Sequence, residues 1–155
     1  MAEAIPSGME KLIAHLTVKG ASDAIEFYKK AFGAVELSRM PAPDGQRIMH
    51  AMLQIGPSIV MINDDFPEYC GGKERSAEAL GGSPVTLTMY VEDAHAAMQT
   101  AADAGATITM PAEEQFWGDV YGLLVDPFGH QWALATHVRD MTPAEIAEAG
   151  AKAFS

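Results

Sequence analysis

Hydrophobic and polar positions alternate along residues 11–18. Leu12, Leu16 and Val18 fall on one side, and Ile13, His15 and Thr17 on the other. A period of two is that of a strand with one face packed. The spacing then changes. Ala24, Phe27, Tyr28 and Ala31 recur at i, i+3, i+4 and i+7, with Ile25 and Phe32 widening the stripe, which predicts an amphipathic helix over 23–32. Asp23 with Glu26 three residues later is the expected capping box, and Gly33 the residue that ends the helix. Strand-like segments follow at 34–41, 46–55 and 58–63. The turn Pro41-Ala42-Pro43-Asp44-Gly45 separates the first two.

Between 64 and 83 the periodicity is lost and glycine and proline become dense, as in a linker, with one helical turn expected around 75–79. The pattern then restarts. Residues 85–91 alternate, with Thr86, Thr88 and Tyr90 on one face and Val85, Leu87, Met89 and Val91 on the other. Asp93 is the expected cap of a helix through Ala104, with Ala94, Ala97, Met98 and Ala101 on its inner stripe and Gly105 closing it. Strands are expected at 107–110, 117–125 and 131–138. The last two form a hairpin through Asp126-Pro127-Phe128-Gly129, where Asp126 can accept an N–H two residues on. Strand, helix, Gly-Ala and three strands thus occur twice, a repeat of pattern rather than of residues. The expected organisation is one domain over 1–155: module one at 11–63, linker at 64–83, module two at 84–138. Thr142-Pro143-Ala144-Glu145 opens a C-terminal helix over 142–153. That helix is Ala-rich and needs the sheet or a partner subunit to pack against.

Composition narrows the function classes. Of 155 residues 48% are hydrophobic and 20% charged, as in a globular chain. No apolar run approaches the roughly 20 residues that cross a bilayer, and Met1–Pro6 has no secretory apolar core. Cys70 is the only cysteine, so no internal disulfide can form and Cys70 cannot build a thiolate metal site alone. A cytoplasmic protein with no membrane association is the expectation. The net charge of −11 repels nucleic-acid phosphate and favours cationic or neutral ligands.

The candidate chemistry is concentrated in a few positions. Trp117, Asp119 and Tyr121 share one face, where rings flanking a carboxylate suit a ligand that stacks and carries a cation or hydroxyl. His50 begins a strand face with Met52 and Gln54, and is a candidate general base, as is Asp119. Glu113 and Glu114 are read as loop residues, and His130 as a turn residue. Met49, Met52, Met61 and Met89 suit an adaptable apolar lining. No phosphate-binding glycine loop, nucleophile elbow or Cys/His nucleophile spacing is present.

Several phrases together resemble the vicinal oxygen chelate superfamily (glyoxalase, bleomycin resistance and dioxygenase proteins), and its PhnB-like branch in particular. They are Ala24–Ala34; Asp44-Gly45 with His50-Ala51; Tyr90-Val91-Glu92-Asp93; Phe116-Trp117-Gly118-Asp119 with Tyr121-Gly122; and Asp126–His130 with Trp132. The resemblance covers roughly 11–138. It implies an α+β fold of two tandem βαβββ modules forming a curved mixed sheet around a cavity, with the C-terminal helix added, and a homodimer. In metal-binding members four strand positions supply ligands. Here the matching residues are His15, Met61, Thr88 and Ala133, so one of four carries a usual ligand, and no cofactor is expected. His15, Thr17, Met61, Thr88, Tyr90, Trp117, Tyr121 and Ala133 are the expected ligand contacts. The resemblance leaves three readings. One is a cavity that binds a small organic molecule without a catalytic metal. The second is a divalent-metal lyase, isomerase or dioxygenase using His15. The third is a metal-free lyase or isomerase with His50 or Asp119 as base.

Overall fold

The computed structural model describes all 155 residues, which divide into two compact units, Met1–Leu80 and Gly81–Ser155. The first contains β1 (Ala14–Val18), α1 (Ala21–Phe32), β2 (Val35–Pro41), β3 (Ile48–Ile55) and β4 (Ser58–Asp64). A 3-10 turn at Pro67–Tyr69 and the short helix α2 (Ala77–Leu80) follow. The second contains β5 (Thr86–Tyr90), α3 (Ala94–Ala104), β6 (Thr107–Glu114), β7 (Asp119–Val125), β8 (Gln131–His137) and α4 (Pro143–Ala153). Each unit is a βαβββ module around a four-stranded mixed sheet, ordered β1-β4-β3-β2 in the first and β5-β8-β7-β6 in the second. The first strand of each runs parallel to the last, and the other pairings are antiparallel.

In the first unit α1 buries Ala24, Ile25, Phe27, Tyr28 and Ala31, the predicted stripe, against the side of the sheet that carries Leu16, Val18 and Ile62. The opposite side carries His15 and Thr17. Gly33 ends α1 at φ +65, its N–H donating to the Lys29 carbonyl while Ala34 donates to that of Tyr28. The start of α1 departs from expectation. The helix begins at Ala21 with Gly20 as N-cap, and Asp23 lies inside its first turn without capping it. The acceptor comes from β4 instead. Asp64 Oδ1 receives Gly20 N–H at 2.8 Å and Ala21 N–H at 2.9 Å, and Oδ2 receives Ile48 N–H at 2.7 Å. One buried carboxylate thus holds a helix start, the strand that ends in it and the start of β3. Its negative charge lies where the helix dipole favours it.

The linker is only partly a linker. Asp64 completes β4, and Asp65 N–H donates to the Val18 carbonyl. Asp65 Oδ2 then receives the N–H groups of Arg75 (2.7 Å) and Ser76 (2.8 Å), closing 65–76 into an ordered loop before α2.

In the second unit Asp93 caps α3 as predicted, accepting from Ala96 N–H, and Ala94, Met98 and Ala101 are buried against the sheet. Gly122 permits that approach: a Cβ there would lie 2.9 Å from Met98 Cε and 3.0 Å from the Ala112 nitrogen. β6 runs to Glu114, past the expected end at 110. Glu113 and Glu114 are therefore paired strand residues opposite Tyr121 and Val120, not loop residues. The ladder hydrogen bonds of β7 carry the edge strand beyond its Pro111 through register shifts. β7 starts at Asp119, so Trp117 belongs to the preceding turn. Asp126 organises the hairpin turn. Its Oδ1 accepts from Phe128 and His130 N–H, and its Oδ2 from the buried Trp132 indole at 2.9 Å. Thr142 and Glu145 form the predicted capping box of α4. That helix meets Phe116 at Gly150, and Phe154 makes an edge contact with the same ring at 5.8 Å.

Replacing Asp64 with Ala strands three backbone donors, and is expected to lower unfolding stability by about 3 kcal/mol. Asp23→Ala is expected to cost less than about 1 kcal/mol. Urea denaturation of the two variants checks the pair, and equal losses would contradict the assignment of the cap to Asp64.

Candidate functional site

The hairpin register in the second unit decides what surrounds Asp119. β7 and β8 place Asp119 opposite His137, Tyr121 opposite Ala135 and Leu123 opposite Ala133. β5 adds Thr88 beside Ala133 and Tyr90 beside Ala135. One face of this sheet therefore carries Thr88, Tyr90, Asp119, Tyr121, Ala133 and His137. Ala133 and Ala135 are buried, while the Tyr90 side chain stands up from them, 65% exposed.

Asp119 is 4% exposed and saturated with donors. Its Oδ2 receives the Tyr90 hydroxyl at 2.8 Å and the Trp117 indole N–H at 3.0 Å, and its Oδ1 lies 2.8 Å from His137 Nδ1. The ring of Trp117 turns back over the strand, 5.5 Å from Tyr121 edge to face. Gly118 makes this possible. It adopts φ +97, its carbonyl accepts from both Val138 and Arg139 N–H, and a Cβ would collide with the Arg139 carbonyl at 2.2 Å. His137 Nε2 faces Asp140 Oδ1 at 2.7 Å, so the imidazole bridges a buried carboxylate and an exposed one.

These contacts set the charges. Burial alone would push Asp119 up, but hydrogen bonds from His137, Tyr90 and Trp117 outweigh it and hold the carboxyl below its ordinary range. His137 is raised above 6.5, first by Asp140 and then by Asp119. The Tyr90 hydroxyl is raised, first by its bond to Asp119 and then by burial. Asp119 thus keeps a fixed negative charge with its oxygens engaged, which suits an electrostatic anchor better than a proton acceptor. His137 is the group of the cluster that can exchange a proton near neutrality.

The other expected residues lie in the first unit. His15 and Met61 are register neighbours on β1 and β4, and Thr17 is the neighbour of Asn63. The His50 ring on β3 meets His15 edge to face at 5.6 Å. His15, Thr17, Asn63, Phe66, Tyr69 and Arg75 line an open cavity of about 460 Å³.

The four positions that the resemblance maps to a metal fall as two register pairs, His15 with Met61 and Thr88 with Ala133. Their donors are one imidazole, one thioether and one hydroxyl, and Ala133 supplies none. No group of three or more His, Cys, Asp or Glu side chains is gathered to hold an ion. His137 has both ring nitrogens committed to carboxylates. This donor set does not fit a catalytic divalent cation, which takes three or more nitrogen, oxygen or thiolate ligands.

His137 and Asp140 were not singled out by the sequence pattern, nor were Tyr69 and Arg75. The signal for His137 was present. Counting back from Asp126 and forward from His130 along an antiparallel hairpin puts 119 opposite 137. Tyr69 and Arg75 carried no signal, because nothing in an aperiodic segment fixes where it folds.

The model of the Glyoxalase/Bleomycin resistance protein/Dioxygenase superfamily matches residues 12–134, and the chain belongs to that superfamily. An uncharacterized protein of Mycobacterium bovis is 51% identical over 132 residues, covering 85% of this chain and 86% of its own length. Among solved structures, a gene product of Arabidopsis thaliana is 31% identical with a TM-score of 0.64, covering 81% of this chain and 97% of its own. TioX from Micromonospora sp. ML1 is 27% identical with a TM-score of 0.63, covering 83% and 99%.

The imidazole assignment has a pH consequence. His137 binds its proton more tightly folded than unfolded, so its pairing contributes stability fully below about 6.5. That contribution is lost as pH rises through the raised folded value. Asp119 has the opposite sign: its contribution is present above the ordinary carboxylate range and is lost as pH falls through its lowered value. Proton NMR titration of the imidazole C–H signals is expected to place His137 above 6.5, and Asp140→Asn to bring it down. A His137 midpoint unmoved by that substitution would remove Asp140 as the leading cause.

Proposed function

We propose that this chain binds a small amphipathic cation on the sheet of its second unit, without a catalytic metal. The observation that carries the reading is a carboxylate kept ionised beneath aromatic rings. Asp119 is buried and donor-saturated, with Tyr90, Trp117 and Tyr121 around it. Ring faces attract a desolvated cation, and the fixed negative charge adds to that attraction. Thr88 and the small, buried Ala133 are register neighbours on the same face. The net charge of −11 favours the encounter. In this reading the protein carries or sequesters its ligand, acting as a cytoplasmic homodimer.

A metal-free lyase or isomerase is the second reading, favoured by one observation: a carboxylate orienting an imidazole at 2.8 Å. The candidate base in that reading moves from Asp119 or His50 to His137, whose Nε2 becomes available when the exposed Asp140 swings away. Turnover that persists in chelator and disappears in His137→Gln would select it.

Titration calorimetry against a panel of cationic aromatic amines tests the first reading. Below the His137 midpoint the Asp119–His137–Asp140 group carries a net charge of about −1, and above it about −2, so cation affinity is expected to rise with pH through that midpoint. Trp117→Ala is expected to weaken binding by about tenfold. Equal binding of neutral isosteres, or affinity untouched in Trp117→Ala, would sink the cation reading.

A further inference from the structure

The loop after β4 builds a second, chemically different pocket in the first unit. Its frame is rigid by construction. Asp65 N–H is tied to Val18, and the Asp65 carboxylate gathers the Arg75 and Ser76 amides. Gly72 N–H donates to the Pro67 carbonyl at 2.8 Å. Ser76 is buried, and its hydroxyl accepts from Ala79 N–H. Arg47 places its guanidinium 4.4 Å from the centre of the Phe66 ring and also bonds Glu68 and the Asp65 carbonyl. The loop therefore presents fixed groups to the cavity beside His15 and Thr17.

Those groups have a definite character. The Phe66 and Tyr69 rings lie 6.1 Å apart, tilted by 39°, and form an aromatic wall. One face of Phe66 is taken by Arg47; Tyr69 is 75% exposed. Asn63, which also lines the cavity, gives its side-chain amide N–H to the Asp64 carbonyl. The carboxylate of Asp65 also lines the cavity, but one oxygen already accepts two N–H groups. Arg75 is the exception among the four arginines. Arg39, Arg47 and Arg139 each pair with a carboxylate, whereas the Arg75 side chain has no ion pair. A guanidinium without a carboxylate partner, beside two rings, in a cavity of about 460 Å³, is within the size range of small-molecule sites.

We propose that this pocket binds a planar aromatic carboxylate, its anionic end held by Arg75 and its ring against Tyr69 and Phe66. A guanidinium fork matches a carboxylate with two parallel hydrogen bonds, and an aromatic wall takes a flat ring with little ordering cost. The site is built from residues of the first unit alone and takes the opposite charge to the cation proposed for the second, so it is tested independently. His15 gains a role as a pocket-lining donor that requires no ion.

The test is an amide NMR titration of the full chain with 4-hydroxybenzoate, and in parallel with benzylamine, which replaces the anion by a cation. The expected result is shifts clustered at 15–17 and 63–76 with the carboxylate and none there with the amine. Arg75→Gln should weaken binding by about tenfold, and Arg75→Lys by less, because lysine keeps the charge but loses the fork. Arg75 helps to close the loop through its backbone N–H and not its side chain, so both variants should keep the parent spectrum away from the pocket. Tyr69→Ala should weaken the same binding. The proposal is overturned if millimolar 4-hydroxybenzoate leaves 63–76 unmoved, if its shifts map to 117–137, or if Arg75→Gln binds as tightly as the parent.

Discussion

A carboxylate taken out of water must be met by donors, and donors fixed on several segments are thereby fixed to one another. This chain uses that constraint repeatedly. Asp64, Asp119 and Asp126 are each 4% exposed and each gathers three donors, Asp64 and Asp119 from different segments and Asp126 from 128–132 of its own hairpin. Asp64 joins the α1 start to β3. Asp126 closes the β7–β8 turn onto Trp132, which sets the register that brings His137 to Asp119. Asp119 then collects Tyr90, Trp117 and His137 from three positions in the chain. The apolar stripes drive helices onto sheets, but these acids choose which turns and side chains meet.

The same saturation limits the chemistry available. An acid whose oxygens are already engaged holds its charge and does not readily take up a proton, so the reactive member of the second unit's cluster is the imidazole outside it. In the first unit Asp65 likewise spends one oxygen on two backbone N–H groups, one of them that of Arg75, whose side chain has no ion pair. Each unit thus shows a satisfied acid supporting a less constrained neighbour: His137 in one, Arg75 in the other.

Periodicity carried the fold. The two α helices that pack on sheets, the hairpin and the C-terminal capping box followed from spacing and from Asp93, Gly33, Asp126 and Thr142, because these interactions are local in the chain. Asp23 looked like a helix cap for the same local reason, and was displaced by Asp64, 43 positions from Ala21, which no window of sequence could register. Glu113 and Glu114 looked like loop residues because Pro111 interrupts their strand pattern. Thr88, Tyr90, Tyr121 and Ala133 could be placed on one face by alternation, while His137 needed the hairpin register as well. The 65–76 loop was opaque: its shape comes from one aspartate side chain gripping two distant amides.

Gly118 has a consequence for how such a protein diverges. It has no side chain to touch a ligand, yet its positive φ and the Arg139 carbonyl against its α-carbon hold the turn that folds Trp117 over the sheet. Any single-nucleotide change that alters this codon's amino acid adds a Cβ where none fits. A lineage could therefore lose the aromatic patch in one step while every ring is still encoded. Among relatives with Trp117 and Tyr121 intact, the residue at position 118 would be the better guide to whether the patch survives.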